Sequence, residues 1–72
     1  MTPEELQSLI DQAVNEGWTE LDLSRAGLTK LPPEIAKLTH LTTLDLSRNQ
    51  ISEIPAVIGS LTNLTTLDLW GN

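Results

Sequence analysis

Hydrophobic residues follow two different periods within one short stretch, LTTLDLSRNQISEIPAVIGS (41–60). Leu44 and Leu46 alternate with polar residues, as side chains on one face of a β-strand do. Beyond Asn49 the apolar residues follow at intervals of three and four, nearer the helical period: Ile51, Ile54, Ile58 and Leu61. The change of period predicts a strand, a corner at Asn49 and a loosely helical return.

The same unit recurs along the chain. The triplet LDL begins at Leu21, Leu44 and Leu67, so the units are 23 residues apart. We predict strands near 20–24, 43–47 and 66–70. Parallel neighbours need a crossover of about a dozen residues or more, which this spacing supplies. Each unit buries its leucines only by stacking on the next one, so residues 18–72 form two full repeats and a partial third.

The first seventeen residues have the pattern of an amphipathic helix. Thr2, Pro3 and Glu5 have the layout of a capping box with proline at the first helical position. An apolar stripe follows, and Gly17 can adopt the left-handed conformation that ends a helix. The stripe consists of Leu6, Leu9, Ile10, Ala13 and Val14. We predict a helix from Pro3 to about Glu16, with residues 1–17 acting as a cap over the first repeat.

The repeat resembles a known signature. The segment LxxLDLSRNQI matches the leucine-rich repeat pattern LxxLxLxxNxL at Leu41, Leu44, Leu46, Asn49 and Ile51. Its continuation, IPxxIxxLxxL, is similar to the 23-residue class of bacterial and Ras-related leucine-rich proteins, at Ile54, Pro55, Ile58, Leu61 and Leu64. The resemblance covers 18–72 and implies an α/β fold: a right-handed solenoid with an N-terminal capping helix and a short parallel sheet.

The resemblance also implies roles for single residues. In this family the asparagine side chain binds backbone groups at the corner and links adjacent turns. Asn49 and Asn72 match that position, whereas Ala26 does not. Trp18 stands where Leu41 and Leu64 stand, so it is expected in the core.

The third strand is expected to have an uncovered edge, because the sequence stops at Asn72 directly after it. Two explanations are open. The chain is the N-terminal piece of a longer repeat protein, which the break within a repeat favours, or a second copy covers the edge by self-association. The leading segment is similar to bacterial Roco-type proteins, in which leucine-rich repeats precede a GTPase domain. That downstream domain is implied by the resemblance alone.

Charge and composition narrow the classes of partner. The chain has no cysteine, which excludes disulfides and cysteine-based zinc sites. Its formal net charge is −6, and its four basic residues are scattered, which argues against nucleic acid and anionic membranes. The first residues lack the pattern of a signal peptide, and no apolar run is long enough to span a bilayer. We expect a soluble, cytoplasmic chain without cofactors.

Asp22, Asp45 and Asp68 occupy the same place in successive strands and should form a column on the concave face. The column is an acidic site for a basic partner, a hard-cation site, or a feature tolerated on an exposed face and copied with the repeat; the last is favoured. Flanking arginines are expected to relieve its repulsion. Trp70 replaces the serine of the earlier repeats. It is a binding anchor, a residue packed on Arg48 or against a following turn, or a contact with another copy in a dimer.

The residues do not favour catalysis. His40, the only histidine, has no cysteine or second histidine beside it, and the serines lack a plausible base. The carboxylates lie on an open surface, and the glycines form no phosphate-binding loop. We expect a non-enzymatic protein-interaction module that binds a protein or peptide on its concave face. The alternative is a structural N-terminal cap of a larger protein. The candidate binding residues are Glu20, Asp22, Arg25, Thr43, Asp45, Ser47, Arg48, Thr66, Asp68 and Trp70.

Overall fold

The computed structural model describes residues 1–53 and 56–72 of the chain. Ile54 and Pro55, which begin the predicted second return, lie outside these residues. The described elements are helix α1 (Pro3–Glu16), strand β1 (Glu20–Asp22), a first return helix (Pro33–Lys37), strand β2 (Thr43–Asp45), a second return helix (Ala56–Ser60) and strand β3 (Thr66–Asp68). Both return helices are 3-10 helices.

The strands form one parallel sheet in the order β1-β2-β3. The central leucine of each LDL triplet stands beside its counterpart, so that Leu21 pairs with Leu44 and Leu44 with Leu67. The predicted pairing of the three triplets is therefore confirmed. Residues with the same position in the repeat meet across the sheet.

Each strand is shorter than predicted, because it ends at its aspartate and not two residues later. The carboxylate of Asp22 accepts a hydrogen bond from the backbone N–H of Ser24 at 2.9 Å, and the other two aspartates make the equivalent contact. An aspartate that binds the backbone two residues on forms a turn and ends the extended conformation. The third residue after each aspartate has a positive φ. The values are 53° for Arg25, 58° for Arg48 and 77° for Gly71.

Helix α1 begins and ends where the sequence predicts. Thr2 accepts a hydrogen bond from the Glu5 backbone N–H, and the Glu5 side chain accepts one from the Thr2 backbone, which completes the capping box. Gly17 adopts the left-handed conformation, with φ 64°, and its N–H donates to the last turn. Local sequence signals therefore fix both helix ends.

The first return helix aligns two apolar residues on one face. Pro32 precedes the helix and Pro33 occupies its first turn, where the missing N–H has no helical partner to lose. A 3-10 helix has about three residues per turn, so residues three apart lie on the same side. Ile35 and Leu38 are both buried in this way. The predicted loosely helical return is confirmed for this repeat.

A single cluster of buried side chains joins α1 to the repeats. Leu6, Ile10 and Ala13 of α1 belong to the same cluster as Leu21 and Leu23. Those two leucines are 3% and 1% exposed, although β1 is the first strand of the sheet. Within the described residues α1 and not a strand precedes β1, and its apolar side supplies the cover that a preceding repeat supplies to β2 and β3.

Two residues near this end differ from the pattern. Val14, predicted on the apolar stripe, is exposed because it lies at the margin of the helix face that packs inward. Trp18 is partly buried against the core, as expected, and its indole N–H donates to the Glu16 carboxylate at 3.0 Å. That bond is the main cause of the lowered pKa of Glu16. In the described ranges, 1–53 and 56–72, no helix has the length and apolar character that a membrane span requires.

Candidate functional site

Asn49 sits at the corner between β2 and the following loop and ties two repeats together. Its side-chain carbonyl accepts hydrogen bonds from the backbone N–H groups of Ala26 and Leu28, at 2.9 and 3.0 Å. Its amide donates to the carbonyls of Leu23 and Leu46, both at 2.9 Å. The side chain is buried, and its bonds to Leu28, Leu23 and Leu46 satisfy buried backbone groups, whereas the bond to Ala26 is only partly buried. Asn49 therefore has the linking role that the resemblance implied.

Asn72 repeats the arrangement one turn later. Its carbonyl accepts from the Ile51 N–H at 3.0 Å, and its amide donates to the Leu46 carbonyl at 2.8 Å. In contrast to Asn49, Asn72 is exposed. The same contact therefore occurs once in a dry environment and once at the surface.

A threonine ladder at the start of the strands was not anticipated from the sequence. The Thr42 hydroxyl donates to the Thr19 carbonyl, and the Thr65 hydroxyl donates to the Thr42 carbonyl, both at 3.1 Å. The backbone N–H groups of Thr42 and Thr65 bind the same two carbonyls. The signal was present, because a threonine occurs at the same position of all three repeats.

The polar residues of the strands lie together on one side of the sheet, which we call the polar face. Strand side chains alternate between the two sides, so the residues flanking each buried leucine point the other way. The face consists of Glu20 and Asp22 from β1, Thr43 and Asp45 from β2, and Thr66 and Asp68 from β3. Thr43 and Asp45 are half-buried between their neighbours, whereas the four outer residues are exposed.

The aspartate column of the polar face has a structural task. One oxygen of Asp22 accepts from both the N–H and the hydroxyl of Ser24, at 2.9 and 2.6 Å. These bonds lower the pKa of Asp22, because they favour its charged form. One oxygen of Asp45 and one of Asp68 accept a backbone N–H in the same way. The sequence suggested relief by arginines, but the hydrogen bonds come from the residues two positions on.

Trp70 and Arg48 form a stacked pair next to the polar face. The guanidinium carbon of Arg48 lies 4.8 Å from the centroid of the Trp70 ring, within cation–π range. The tryptophan nevertheless stays 67% exposed. The structure therefore shows packing on Arg48, one of the alternatives for Trp70, together with a large free aromatic surface. Arg48 is itself exposed.

Two other predicted site residues differ in accessibility. Ser47 is only 9% exposed, so little of its surface is open to a partner. Ser47 follows β2, the central strand of the sheet. Arg25 is exposed at the corner of the first repeat and adopts the same left-handed backbone as Arg48. The candidate surface is thus the polar face together with Arg25, Arg48 and Trp70.

The chemistry of this surface is recognition by charge, hydrogen bonds and one aromatic ring. Across residues 1–53 and 56–72, no group of three or more histidine, cysteine, aspartate or glutamate side chains is placed to hold a metal ion. The described buried side-chain nitrogen and oxygen atoms all have hydrogen-bond partners. The surface offers exposed polar groups from all three strands.

Comparison with known proteins gives the family. The leucine rich repeat family model matches residues 17–72, which include all three strands and both return helices. Comparison with curated proteins finds no significant match. Domains of the matched family generally mediate protein–protein interactions. The chain belongs to the leucine-rich repeat family.

Proposed function

We propose that the chain is a non-enzymatic, cytoplasmic module that binds a protein or peptide through its polar face. In this proposal the sheet is the concave side of a short right-handed solenoid and α1 caps its first repeat. The module needs no cofactor and binds neither nucleic acid nor membrane. The observation that carries the proposal is Trp70, which remains 67% exposed beside Asp68 while Arg48 holds one side of its ring.

An exposed tryptophan that already contacts another side chain is a strong candidate for an anchor. Tryptophan is enriched among the residues that dominate interface energies. Contact with Arg48 restricts the ring before a partner arrives, which reduces the side-chain entropy lost on binding. The opposite side of the ring is available to an aliphatic or cationic side chain.

Charge favours a basic partner. The chain carries a net charge of −6, and the aspartate column adds three carboxylates on neighbouring strands. Each aspartate uses one oxygen for its own turn, which leaves the second oxygen for a ligand. An extended peptide with lysine or arginine can place one cation at the column and another over Trp70. Binding by so small a sheet should be weak, because a standard interface buries about 800 Å² per partner.

A fluorescence titration tests this proposal. Trp18→Phe leaves Trp70 as the only tryptophan, and the probes are a ten-residue Arg-Ser repeat peptide and its Glu-Ser counterpart. We expect saturable changes in Trp70 emission with the Arg-Ser peptide alone, and weaker binding at higher salt. Equal responses to both peptides, or no response to either, would contradict the proposal.

Asp68→Asn is the matched variant for the charge. Asparagine keeps an oxygen that accepts the Trp70 N–H, so the turn is retained while the charge is removed. We expect weaker binding of the Arg-Ser peptide with an unchanged far-UV circular dichroism spectrum. Ser52→Asn, at an exposed position outside the polar face, is the control and should bind as the parent does.

A second candidate function is structural. The bonds of Asn49 and of the aspartate column point inward, to the backbone of the repeats, which suits a segment whose task is to start a longer array. The resemblance to Roco-type bacterial proteins would place a GTPase domain after that array. In a longer protein, replacing Asp45 and Trp70 together separates the two functions. Undiminished partner capture would favour the structural role, whereas lost capture would favour recognition.

A further inference from the structure

Arg25 and Arg48 occupy a corner position at which the backbone is left-handed. Their φ values are 53° and 58°, a conformation that is unfavourable for residues with a Cβ and that glycine adopts without steric cost. The third repeat has glycine at this position, Gly71, with φ 77°. The corner therefore accepts glycine, and the first two repeats carry arginine there in spite of the strain. Because strained backbone is concentrated at functional sites, the two arginine side chains are candidates for binding.

The corners of successive repeats are in direct contact. The N–H of Arg25 donates to the Ser47 carbonyl at 3.0 Å, and that of Arg48 donates to the Trp70 carbonyl at 2.8 Å. A Cβ added to Gly71 would lie only 3.3 Å from Cγ of Arg48. Arg25 and Arg48 are thus exposed cations at neighbouring corners, and like charges so placed repel each other. An anion that contacts both guanidinium groups relieves this repulsion.

Contact with Trp70 orients the Arg48 guanidinium and leaves its donors open to a ligand. The guanidinium carbon lies 4.8 Å from the centroid of the ring, so the contact uses the flat face of the group. The five N–H donors of an arginine lie in the plane of the guanidinium and point outward from its edge. A carboxylate can accept two of them in parallel, which is the strongest form of this pairing.

The two arginines stand next to carboxylates in a regular pattern. Arg25 comes three residues after Asp22, and Arg48 comes three residues after Asp45. Asp22 and Asp45 are register partners in the sheet, so a row of carboxylates runs beside a row of guanidinium groups. A partner that is complementary to both rows carries a cation and an anion close together.

We propose that Arg25 and Arg48 form a carboxylate-binding subsite at the margin of the polar face. The inference rests on the proposed function and narrows its partner to an extended peptide in which an acidic residue accompanies the basic ones. The aspartate column binds the cation, and the arginine pair binds the carboxylate. The order of the two charges along the peptide then fixes the direction in which it lies across the face.

Four blocked peptides test the subsite on the 72-residue chain. Each is the ten-residue Arg-Ser repeat with its first or its last arginine replaced by glutamate or glutamine, and neither end carries a charge. Fluorescence anisotropy of dye-labelled peptides in about 0.15 M salt gives the dissociation constants. At one of the two ends we expect the glutamate peptide to bind about 2- to 5-fold more tightly than its glutamine counterpart. Attraction to the net charge of −6 alone predicts the reverse at both ends.

Removal of either arginine charge should abolish the preference for glutamate. In the Arg25→Gln and Arg48→Gln chains we expect the glutamate peptides to bind no better than the glutamine peptides. Lys37→Gln is the control, because Lys37 is exposed on the first return helix and its loss changes the net charge equally. The preference should persist in this control. A preference that persists in both arginine variants, or that is lost equally in the control, would overturn the subsite.

Arg25→Gly separates binding from a structural role of the arginine. Glycine removes the charge and relieves the strained backbone. We therefore expect the preference for glutamate to be lost while the midpoint of urea unfolding rises or stays unchanged. A lower midpoint would show that the fold needs the arginine and would overturn the inference.

The parent Arg-Ser peptide distinguishes failure of the subsite from failure of the proposed function. If this peptide binds and neither glutamate peptide exceeds its glutamine counterpart, the subsite is wrong and the proposed function stands. If none of the peptides binds, the proposed function is wrong and the subsite fails with it.

Discussion

Replacing Asn49 with alanine should remove a large share of the free energy of unfolding. The side chain is 6% exposed and makes five hydrogen bonds to backbone groups of two repeats. The alanine side chain can make none of these hydrogen bonds. The N–H groups of Ala26 and Leu28 would lose the acceptor that now lies 2.9 and 3.0 Å away.

The magnitude follows from the groups that lose a partner. A buried donor or acceptor without a partner costs about 1–3 kcal/mol. The Leu46 carbonyl keeps the Asn72 amide at 2.8 Å, so the loss falls mainly on the two N–H groups and on the Leu23 carbonyl. Since the Ala26 N–H is only partly buried, we expect a total near 3 kcal/mol. A domain of this length has a stability of roughly 4–11 kcal/mol, so the variant would be marginal.

Asn72→Ala is the matched control, because it removes the same side chain at the same place in the repeat. Asn72 is exposed, and water can replace its bonds, so we expect a loss below about 1.5 kcal/mol. The measurement is urea unfolding followed by far-UV circular dichroism, at a chain concentration where ultracentrifugation shows single chains. Equal losses for the two variants, or a loss below about 1 kcal/mol for Asn49→Ala, would refute the reasoning.

Three further predictions concern the corner glycine, the helix and pH. Gly71→Ala should destabilise the chain by about 1–2 kcal/mol in urea unfolding, because its φ is 77°. Gly59→Ala, where an added Cβ meets open space, should be neutral or slightly stabilising, and a larger loss there than at Gly71 would contradict this. Ile10→Ala should cost about 2–4 kcal/mol, because Ile10 is fully buried between α1 and the repeats. Exposed Val14→Ala should leave the midpoint nearly unchanged, so similar losses for both would refute the packing of α1. The lowered folded-state pKa of Asp22 means that its contribution is present above the ordinary pKa of about 3.9 and is lost as pH falls through the lowered value. Stability measured from pH 5 downward should therefore fall less steeply in Asp22→Asn, and an identical slope would exclude this contribution.

Local signals in the sequence were sufficient for α1. The capping box and the left-handed Gly17 act within a few residues of the helix ends, so the predicted bounds, Pro3 to Glu16, agree with the structure. The pairing of the LDL triplets could also be predicted from the sequence, because a constant 23-residue spacing brings equivalent positions together. The regular spacing therefore predicts contacts between residues 23 positions apart.

The ends of the strands were harder to predict from the sequence. An LDLSR segment alternates regularly, which favours a five-residue strand by pattern alone. The structure ends each strand at the aspartate because its carboxylate binds the backbone two residues later. That hydrogen bond competes with the backbone pairing of a longer strand. Whether it forms depends on the geometry of the aspartate side chain, which cannot be predicted from the alternation of polar and apolar residues.

The candidate surface, too, could be predicted from the sequence only in part. Its residue types and their shared side of the sheet followed from strand alternation and the repeat. The burial of Ser47 and the partial burial of Leu67 could not be predicted in this way. The exposure of a residue depends on how many neighbouring turns cover it. Equivalent positions in different repeats therefore differ in exposure.

The sequence by itself determined the repeat length and the helix that precedes the repeats, through spacing and the conformational preferences of single residues. The linking role of Asn49 and Asn72 was implied by the resemblance to leucine-rich repeats. Only the tertiary structure decided which leucines are fully buried and how Trp70 lies on Arg48. Those properties arise from contacts between residues about one repeat apart, and a contact exists only when both partners are in place.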